Sequence, residues 1–83
     1  MDEFAQVGAW LTKLRDHIDL EGLEDPDMQD MLDTVRTVSH GLLHAAGPIA
    51  AFAAGYAVAR ADGSAAATAR ILADIRDCVA ASE

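Results

Sequence analysis

The chain contains little cysteine and little positive charge, and each shortage excludes a class of protein. Its one cysteine, Cys78, rules out an internal disulfide, so we expect a reducing compartment. Only 6 Lys and Arg stand against 14 Asp and Glu, a balance that repels phosphate backbones and argues against nucleic-acid binding. Residues 1–4, MDEF, are acidic where a secretory signal would be basic, so we expect a cytoplasmic protein.

The acidic residues are concentrated in the first part of the chain. Residues 1–33 hold ten Asp or Glu against Lys13 and Arg15, whereas residues 34–83 hold four acids and four arginines. We interpret the acidic part mainly as solvated helix surface, with a docking surface for a basic partner as the alternative. A chain of 83 residues supports one small domain, and a partner often covers what so small a core leaves exposed.

Apolar residues recur at intervals of three and four, which predicts helices and no strand. The sequence therefore predicts an all-α fold, a small antiparallel bundle of about four helices with short connections, in which residues 1–83 form a single domain. A three-helix core with a loosely docked first helix is the alternative. The stripes of the first, second and fourth helices comprise Phe4, Val7, Trp10, Leu11, Leu14 and Ile18; Met28, Met31, Leu32, Val35, Val38 and Leu42; and Ile71, Leu72, Ile75, Cys78 and Val79.

Helix ends are marked by capping residues and by proline and glycine. Asp25 can cap the second helix with Pro26 at its first position, and Gly41 lies either at the end of that helix or inside it. Pro48 suits the first turn of a third helix that runs to about residue 61. Ser64 can cap the fourth helix.

The third helix differs from the others because residues 41–59 contain no Lys, Arg, Asp or Glu. This stretch is nearly long enough to span a membrane, but Gly47-Pro48 interrupts it and alanine dominates it, so we expect no membrane span. Small residues recur every fourth position and predict a helix-packing interface, either within the chain or with a helix of a second protein. They are Gly47, Ala51, Gly55 and Ala59, continued by Gly63.

Arg36, His40 and His44 recur every fourth residue in the segment RTVSHGLLHAAGP, residues 36–48. Together with the N-terminus of the third helix they form a candidate site for an anion, such as a phosphate or a carboxylate of a partner. In the alternative interpretation, Arg36 pairs with Asp33 or another acid, and His40 caps the C-terminus of the second helix.

Catalytic and metal-binding patterns are weak. The segment HGLLH has the spacing of two zinc ligands, but a third would have to come from distant His17, Cys78 or an acid. Cys78 lies in an apolar stripe, so we expect it in the core and not as a nucleophile, and no glycine-rich phosphate loop is present. We therefore expect neither an enzyme nor a metal or cofactor site.

Residues 33–60 resemble a small bacterial family of domains of unknown function. The matching positions are Asp33, Arg36, His40, Gly41, Pro48, Phe52 and Gly55, and Trp10-Leu11 extends the resemblance to about residues 3–61. Members of that family occur alone or fused to molybdenum cofactor guanylyltransferases. The chain departs from them at His44-Ala45, where relatives tend to have Arg-Pro, and it therefore carries one fewer positive charge beside the candidate anion site.

The resemblance implies a context without an activity. That context is molybdenum cofactor handling or a molybdoenzyme such as formate dehydrogenase, in which the chain would be a non-catalytic accessory module that binds a protein partner. Two other hypotheses are a binding protein for a phosphate-bearing small molecule at Arg36 and His40, and a structural bundle that self-associates through its small residues.

The histidine spacing generates a first testable prediction. If His40 and His44 are not metal ligands, purified protein should contain no stoichiometric zinc, and a chelator should leave its helicity intact, because loss of a structural zinc unfolds small domains. Elemental analysis and circular dichroism measure the two quantities. One zinc ion per chain would overturn the prediction.

Overall fold

The structure is a computed structural model that describes residues 2–82. These residues form four α-helices and no strand, which confirms the prediction of a small all-α bundle. The helices are α1 (Glu3–Leu14), α2 (Met28–Gly41), α3 (Ala46–Arg60) and α4 (Ala65–Ser82). Within residues 2–82, none of the helices combines the length and the apolar character needed to cross a lipid bilayer.

Side-chain caps define where three of the helices begin. The Asp2 carboxylate accepts the Ala5 N–H at 2.8 Å, and the Ser64 hydroxyl accepts the Ala67 N–H at 3.0 Å, which confirms the predicted cap of α4. The N-terminal cap of α2 differs from the sequence prediction. Asp27 rather than Asp25 caps α2, because the Asp25 carboxylate is held by Arg15 at 2.8 Å.

The helix ends around α3 also refine the sequence prediction. Gly41 is the last residue of α2. The third helix begins at Ala46, so Pro48 lies inside its first turn, where a missing N–H breaks no hydrogen bond. Connections of four residues, 42–45 and 61–64, link α2 to α3 and α3 to α4. Such short connections suit helices that run antiparallel to their neighbours in sequence.

The hydrophobic core lies between α2, α3 and α4, which all pack on one another. Its buried apolar residues are few and mostly small: Val38, Ala54, Val58, Ala67, Leu72 and Val79. The buried hydroxyls of Thr34 and Thr68 donate to the carbonyls of Asp30 and Ser64, one turn earlier in their helices. Small core residues allow the three helices to approach closely, but they remove little apolar surface from water.

The first helix lies outside this core, and none of its residues is buried. An apolar cleft separates it from the start of α2, lined on the two sides by Phe4, Val7 and Leu11 and by Met28, Met31 and Leu32. The arrangement matches the three-helix alternative. The stripe of α1 is apolar enough to form a helix but is only partly covered by its neighbours.

An ion pair joins α2 to α4 at the edge of the core. The Arg76 guanidinium donates to the Asp30 carboxylate at 2.7 Å and also to the Thr34 hydroxyl. Both ionic side chains are partly shielded from water, which strengthens their attraction relative to a fully exposed pair. The pair fixes the relative positions of the two helices at this point.

The acidic linker, residues 15–27, is anchored on the turn between α3 and α4. The Glu24 N–H donates to the Gly63 carbonyl at 2.7 Å, and the Glu24 carboxylate accepts the Ala65 N–H at 2.9 Å. A carboxylate at the N-terminus of α4 is favourable because the helix dipole is positive there. The linker therefore follows a defined path across the bundle.

Two glycines make this anchor possible, and they generate a prediction. Gly22 and Gly63 have φ of +87° and +71°, which costs an L side chain about 1–2 kcal/mol. A Cβ at Gly63 would also collide with the Gly22 carbonyl oxygen, whereas a Cβ at Gly22 has nothing within 4 Å. We expect Gly22→Ala to cost about 1–2 kcal/mol and Gly63→Ala to cost about 1–3 kcal/mol more.

Urea unfolding followed by circular dichroism compares the two variants directly. Gly22→Ala serves as the control, since it has the same backbone penalty without the collision. Equal unfolding free energies for the two variants would show that the linker does not rest on the turn in solution.

Candidate interaction surface

The side of α3 opposite the core carries three large apolar side chains that point into solvent. Ile49, Phe52 and Tyr56 are spaced by three and four residues and are 69%, 82% and 62% exposed. Residues at this spacing share one helix face, and we call these three the α3 ridge. A contiguous exposed apolar patch on a small domain is typical of an interaction site.

The exposure of the ridge follows from the composition of α3. The residues that face the core are Gly47, Ala54 and Val58, all small. A Cβ at Gly47 would collide with the Ser39 hydroxyl and lie 3.0 Å from Val35 Cγ1, so the glycine allows α3 to approach α2 closely. Since the inner face holds only small residues, the large side chains of α3 are left on the outside.

A groove runs along one flank of the ridge, and we call it the α3 groove. Its floor comprises Ala51, Gly55 and Ala59, and the linker residues 19–23 form its far wall. Ala51 is half-buried, Gly55 and Ala59 are exposed, and a Cβ at Gly55 would have no atom within 4 Å. Of the four predicted packing positions, Gly47 therefore contacts another helix of this chain, whereas Gly55 faces open space.

Acidic side chains line the α3 groove. They are Asp19, Glu21 and Asp62, and no Lys or Arg is among the lining residues. Hydrogen bonds from the Ser64 hydroxyl and from the Ser64 N–H, 3.0 Å from Oδ1, hold the pKa of Asp62 below its ordinary value. This carboxylate is therefore ionised at neutral pH, and it contributes negative charge to the edge of the groove.

One cation beside the groove is held on the ridge itself. The Arg60 guanidinium lies 5.5 Å from the centre of the Tyr56 ring and donates to the Tyr56 hydroxyl at 3.0 Å. This cation–π contact, together with the hydrogen bond, keeps the arginine along α3. The ridge therefore ends in one positive charge, while the groove beside it is lined by acids.

Apolar surface continues on the other flank of α3. A shallow hollow there is lined by Leu42, Leu43, Ile49, Ala53 and Cys78, among others, without any charged side chain. Leu43 is 72% exposed, and Cys78 is an exposed free thiol rather than a core residue. The predicted burial of Cys78 is therefore wrong, because its position on α4 lies at the rim of this hollow.

The molecule exposes more surface than a compact chain of its mass. Its accessible area is 5861 Å² for 8.7 kDa, whereas the scaling for folded monomers gives about 4,700 Å². Its extents of 40 × 30 × 19 Å describe a flattened shape. The excess of about 1,100 Å² exceeds the roughly 800 Å² that each partner contributes to a standard protein interface.

The predicted anion-binding residues Arg36, His40 and His44 are all exposed. Arg36 has only a loose ion pair with Asp33, 3.8 Å between Nη1 and Oδ1. The His44 carbonyl accepts the Ser39 hydroxyl at 3.1 Å, which ties the connection before α3 to the end of α2. Within residues 2–82, no hydrogen bond or ion pair joins the three predicted side chains to one another.

Metal-ligating side chains are dispersed over the surface. Among residues 2–82, no three His, Cys, Asp or Glu side chains stand close enough together to hold a metal ion. His40 is in the last turn of α2 and His44 lies beyond its end, so the two do not share one helix. The break at Gly41 removes the helical spacing on which the zinc pattern depends.

A family model describes the chain over residues 2–83 as a domain of unknown function, DUF6457. The chain belongs to this family. No curated protein and no solved structure matches it. The family covers α4 as well as the three helices before it, and so extends beyond residues 3–61, over which the sequence resemblance was drawn.

Sequence reasoning missed the α3 ridge of this DUF6457 domain. Ile49, Phe52 and Tyr56 have helical spacing, but alanines occupy nearly every other face of α3, so no apolar stripe stands out. The available signal was size: Ile49, Phe52 and Tyr56 are the largest apolar side chains of α3, and the largest residue on its inner face is Val58. In α3 the large residues therefore indicate a contact surface, as the small residues indicate close helix packing.

Arg36 generates a prediction that separates support of the fold from recognition. Its ion pair is exposed and long, so Arg36→Ala should change stability by less than about 0.5 kcal/mol. If Arg36 binds a partner or an anion, the same variant should weaken binding by about 1.5–3 kcal/mol. Arg36→Lys should retain only part of the binding affinity that Arg36→Ala loses, because lysine lacks the planar guanidinium fork.

Thermal unfolding and titration calorimetry measure the two effects on the same samples. A lower melting temperature with unchanged binding would show that Arg36 braces the fold.

Proposed function

We propose that this DUF6457 domain is a non-catalytic accessory module that binds a protein partner through the α3 ridge. The observation that carries the proposal is the exposure of Ile49, Phe52 and Tyr56 on a helix without charges before Arg60. Aromatic side chains at the centre of an apolar patch are the residues that contribute most to protein interfaces. The excess surface of the chain supports the binding of a partner, whichever helix it contacts.

The proposed partner is a protein of molybdenum cofactor handling or a molybdoenzyme such as formate dehydrogenase. Support for this choice comes from the resemblance of residues 33–60 to domains fused to molybdenum cofactor guanylyltransferases. A domain fused to an enzyme in some proteins and separate in others commonly acts on that enzyme. In this proposal Phe52, which is one of the residues that carry the resemblance, lies at the centre of the contact.

A direct binding measurement tests the proposal. The purified chain would be titrated against the guanylyltransferase and the formate dehydrogenase of the same organism. We expect one of them to bind, and Phe52→Ser to weaken that binding by about 2 kcal/mol or more, the scale of an interface hot spot. The variant should fold normally because the Phe52 side chain is 82% exposed.

Trp10→Ser is the matched control, since Trp10 is also an exposed aromatic residue, 58% accessible, but lies on α1. We expect it to bind like the unmodified chain. Loss of binding in Trp10→Ser but not in Phe52→Ser would move the interface to α1. Absence of binding to both enzymes would refute the molybdenum context.

A further inference from the structure

The α3 groove has the shape that accommodates a helix. Its floor of Ala51, Gly55 and Ala59 is flat because these residues have a Cβ methyl or none. Phe52 and Tyr56 rise on one side, and Leu20 and Leu23 of the linker rise on the other. Small residues on one helix allow another helix to pack with its axis about 8 Å away.

The charges around the groove indicate the chemistry of the occupant. Asp19, Glu21 and Asp62 line the groove, and no Lys or Arg is among its lining residues. Of the cations beside it, Arg60 is engaged by Tyr56, Arg15 donates to the Leu20 carbonyl, and Arg70 attracts Asp62. An apolar segment without cations would bring no ionic partner to these carboxylates, and an acidic segment would be repelled by them. Lys or Arg on the flank of the occupant would face them.

We infer that the α3 groove binds a basic amphipathic helix of the partner protein, with its apolar face on the ridge and its Lys or Arg residues toward Asp19, Glu21 and Asp62. This inference rests on the proposed function and specifies the partner segment. It corresponds to the general mode in which a helix lays its apolar face into a groove. The groove therefore favours a partner segment that is both helical and positively charged.

A second copy of the chain does not meet these requirements through its own α3 groove. Its own α3 has no charged residue before Arg60, and that arginine is already held on Tyr56. Arg15 and Arg76 are paired with Asp25 and Asp30, and Arg15 also donates to the Leu20 carbonyl at 3.5 Å. Two copies joined through their grooves would bring two sets of three carboxylates to one interface without new cations to balance them.

Gly55→Leu is the variant that tests the groove by shape. Nothing lies within 4 Å of a Cβ at this position, so the added side chain fills the groove without disturbing the core. Leucine is also a better helix former than glycine, so the variant should melt at the same temperature or higher. Ala80→Leu is the matched control, because it places the same side chain at an exposed position of α4.

The probes are two synthetic amphipathic peptides with the same Leu and Ala face, one with Lys and one with Glu on its flanks. Fluorescence anisotropy would measure their binding to the full chain. We expect the Lys peptide to bind at least about tenfold more tightly than the Glu peptide. Gly55→Leu should weaken binding of the Lys peptide by about tenfold, because a side chain of this size in the groove excludes the helix. Ala80→Leu should leave the affinity of the Lys peptide unchanged.

Charge is tested by Glu21→Lys, whose side chain lies at the groove and leaves the floor unchanged. This variant should weaken binding of the Lys peptide and strengthen binding of the Glu peptide, each by several-fold. Added salt should reduce both changes in affinity. Equal affinities of the two peptides, or normal binding by Gly55→Leu, would overturn the inference. A dimer in sedimentation analysis that Gly55→Leu dissociates would also overturn it in favour of a second copy.

Binding measurements with the molybdenum proteins distinguish failure of this inference from failure of the proposed function. If a molybdenum protein binds and depends on Phe52 but not on Gly55→Leu or Glu21→Lys, the function stands and the groove inference fails. If neither molybdenum protein binds but the Lys peptide shows the expected dependence on Gly55 and Glu21, the groove inference stands and the molybdenum context fails.

Discussion

The close approach of Gly22 to Gly63 is the contact on which the shape of the α3 surface depends. At this point the linker backbone touches the turn between α3 and α4, with no room for a Cβ at Gly63. The hydrogen bonds of Glu24 to Gly63 and Ala65 continue the contact and cap α4. The same contact holds Leu20 and Leu23 beside α3, where they form the far wall of the groove. Without it, α3 would present a ridge but no groove.

Alanine and glycine on α3 serve the core and the surface in opposite ways. On the inner face, Gly47 and Ala54 allow α3 to pack closely against α2 and α4, at the expense of buried apolar area. On the outer face, Gly55 and Ala59 leave space beside Phe52 and Tyr56. A helix of this composition stabilises its own fold weakly and leaves its largest side chains for contact with another molecule. In a domain of this size, a partner that covers the ridge would also add to stability.

Electrostatics divides the surface into distinct regions. Arg15, Arg36 and Arg76 are paired with acids and Arg60 with an aromatic ring, whereas no Lys or Arg is among the residues that line the groove with its carboxylates. Asp19 and Glu21 of the linker are therefore held beside the apolar face of α3. This juxtaposition is what distinguishes a groove for a basic helix from a general hydrophobic patch, since charge at the rim governs specificity more than affinity.

The sequence by itself determined the helices, the Ser64 cap and the all-α class, because apolar spacing and capping are local properties of the chain. It left open whether α1 joins the core, and it assigned the start of α2 to Asp25 instead of Asp27. Only the tertiary structure decided these points, since Asp25 is drawn to Arg15 and since α1 finds no buried position beside α2. The outward direction of Phe52 and the groove around Gly55 also depended on the fold. In this alanine-rich helix the few large side chains mark one face but do not show whether it points to the core or to solvent, and residues 19–23 are distant from α3 along the chain.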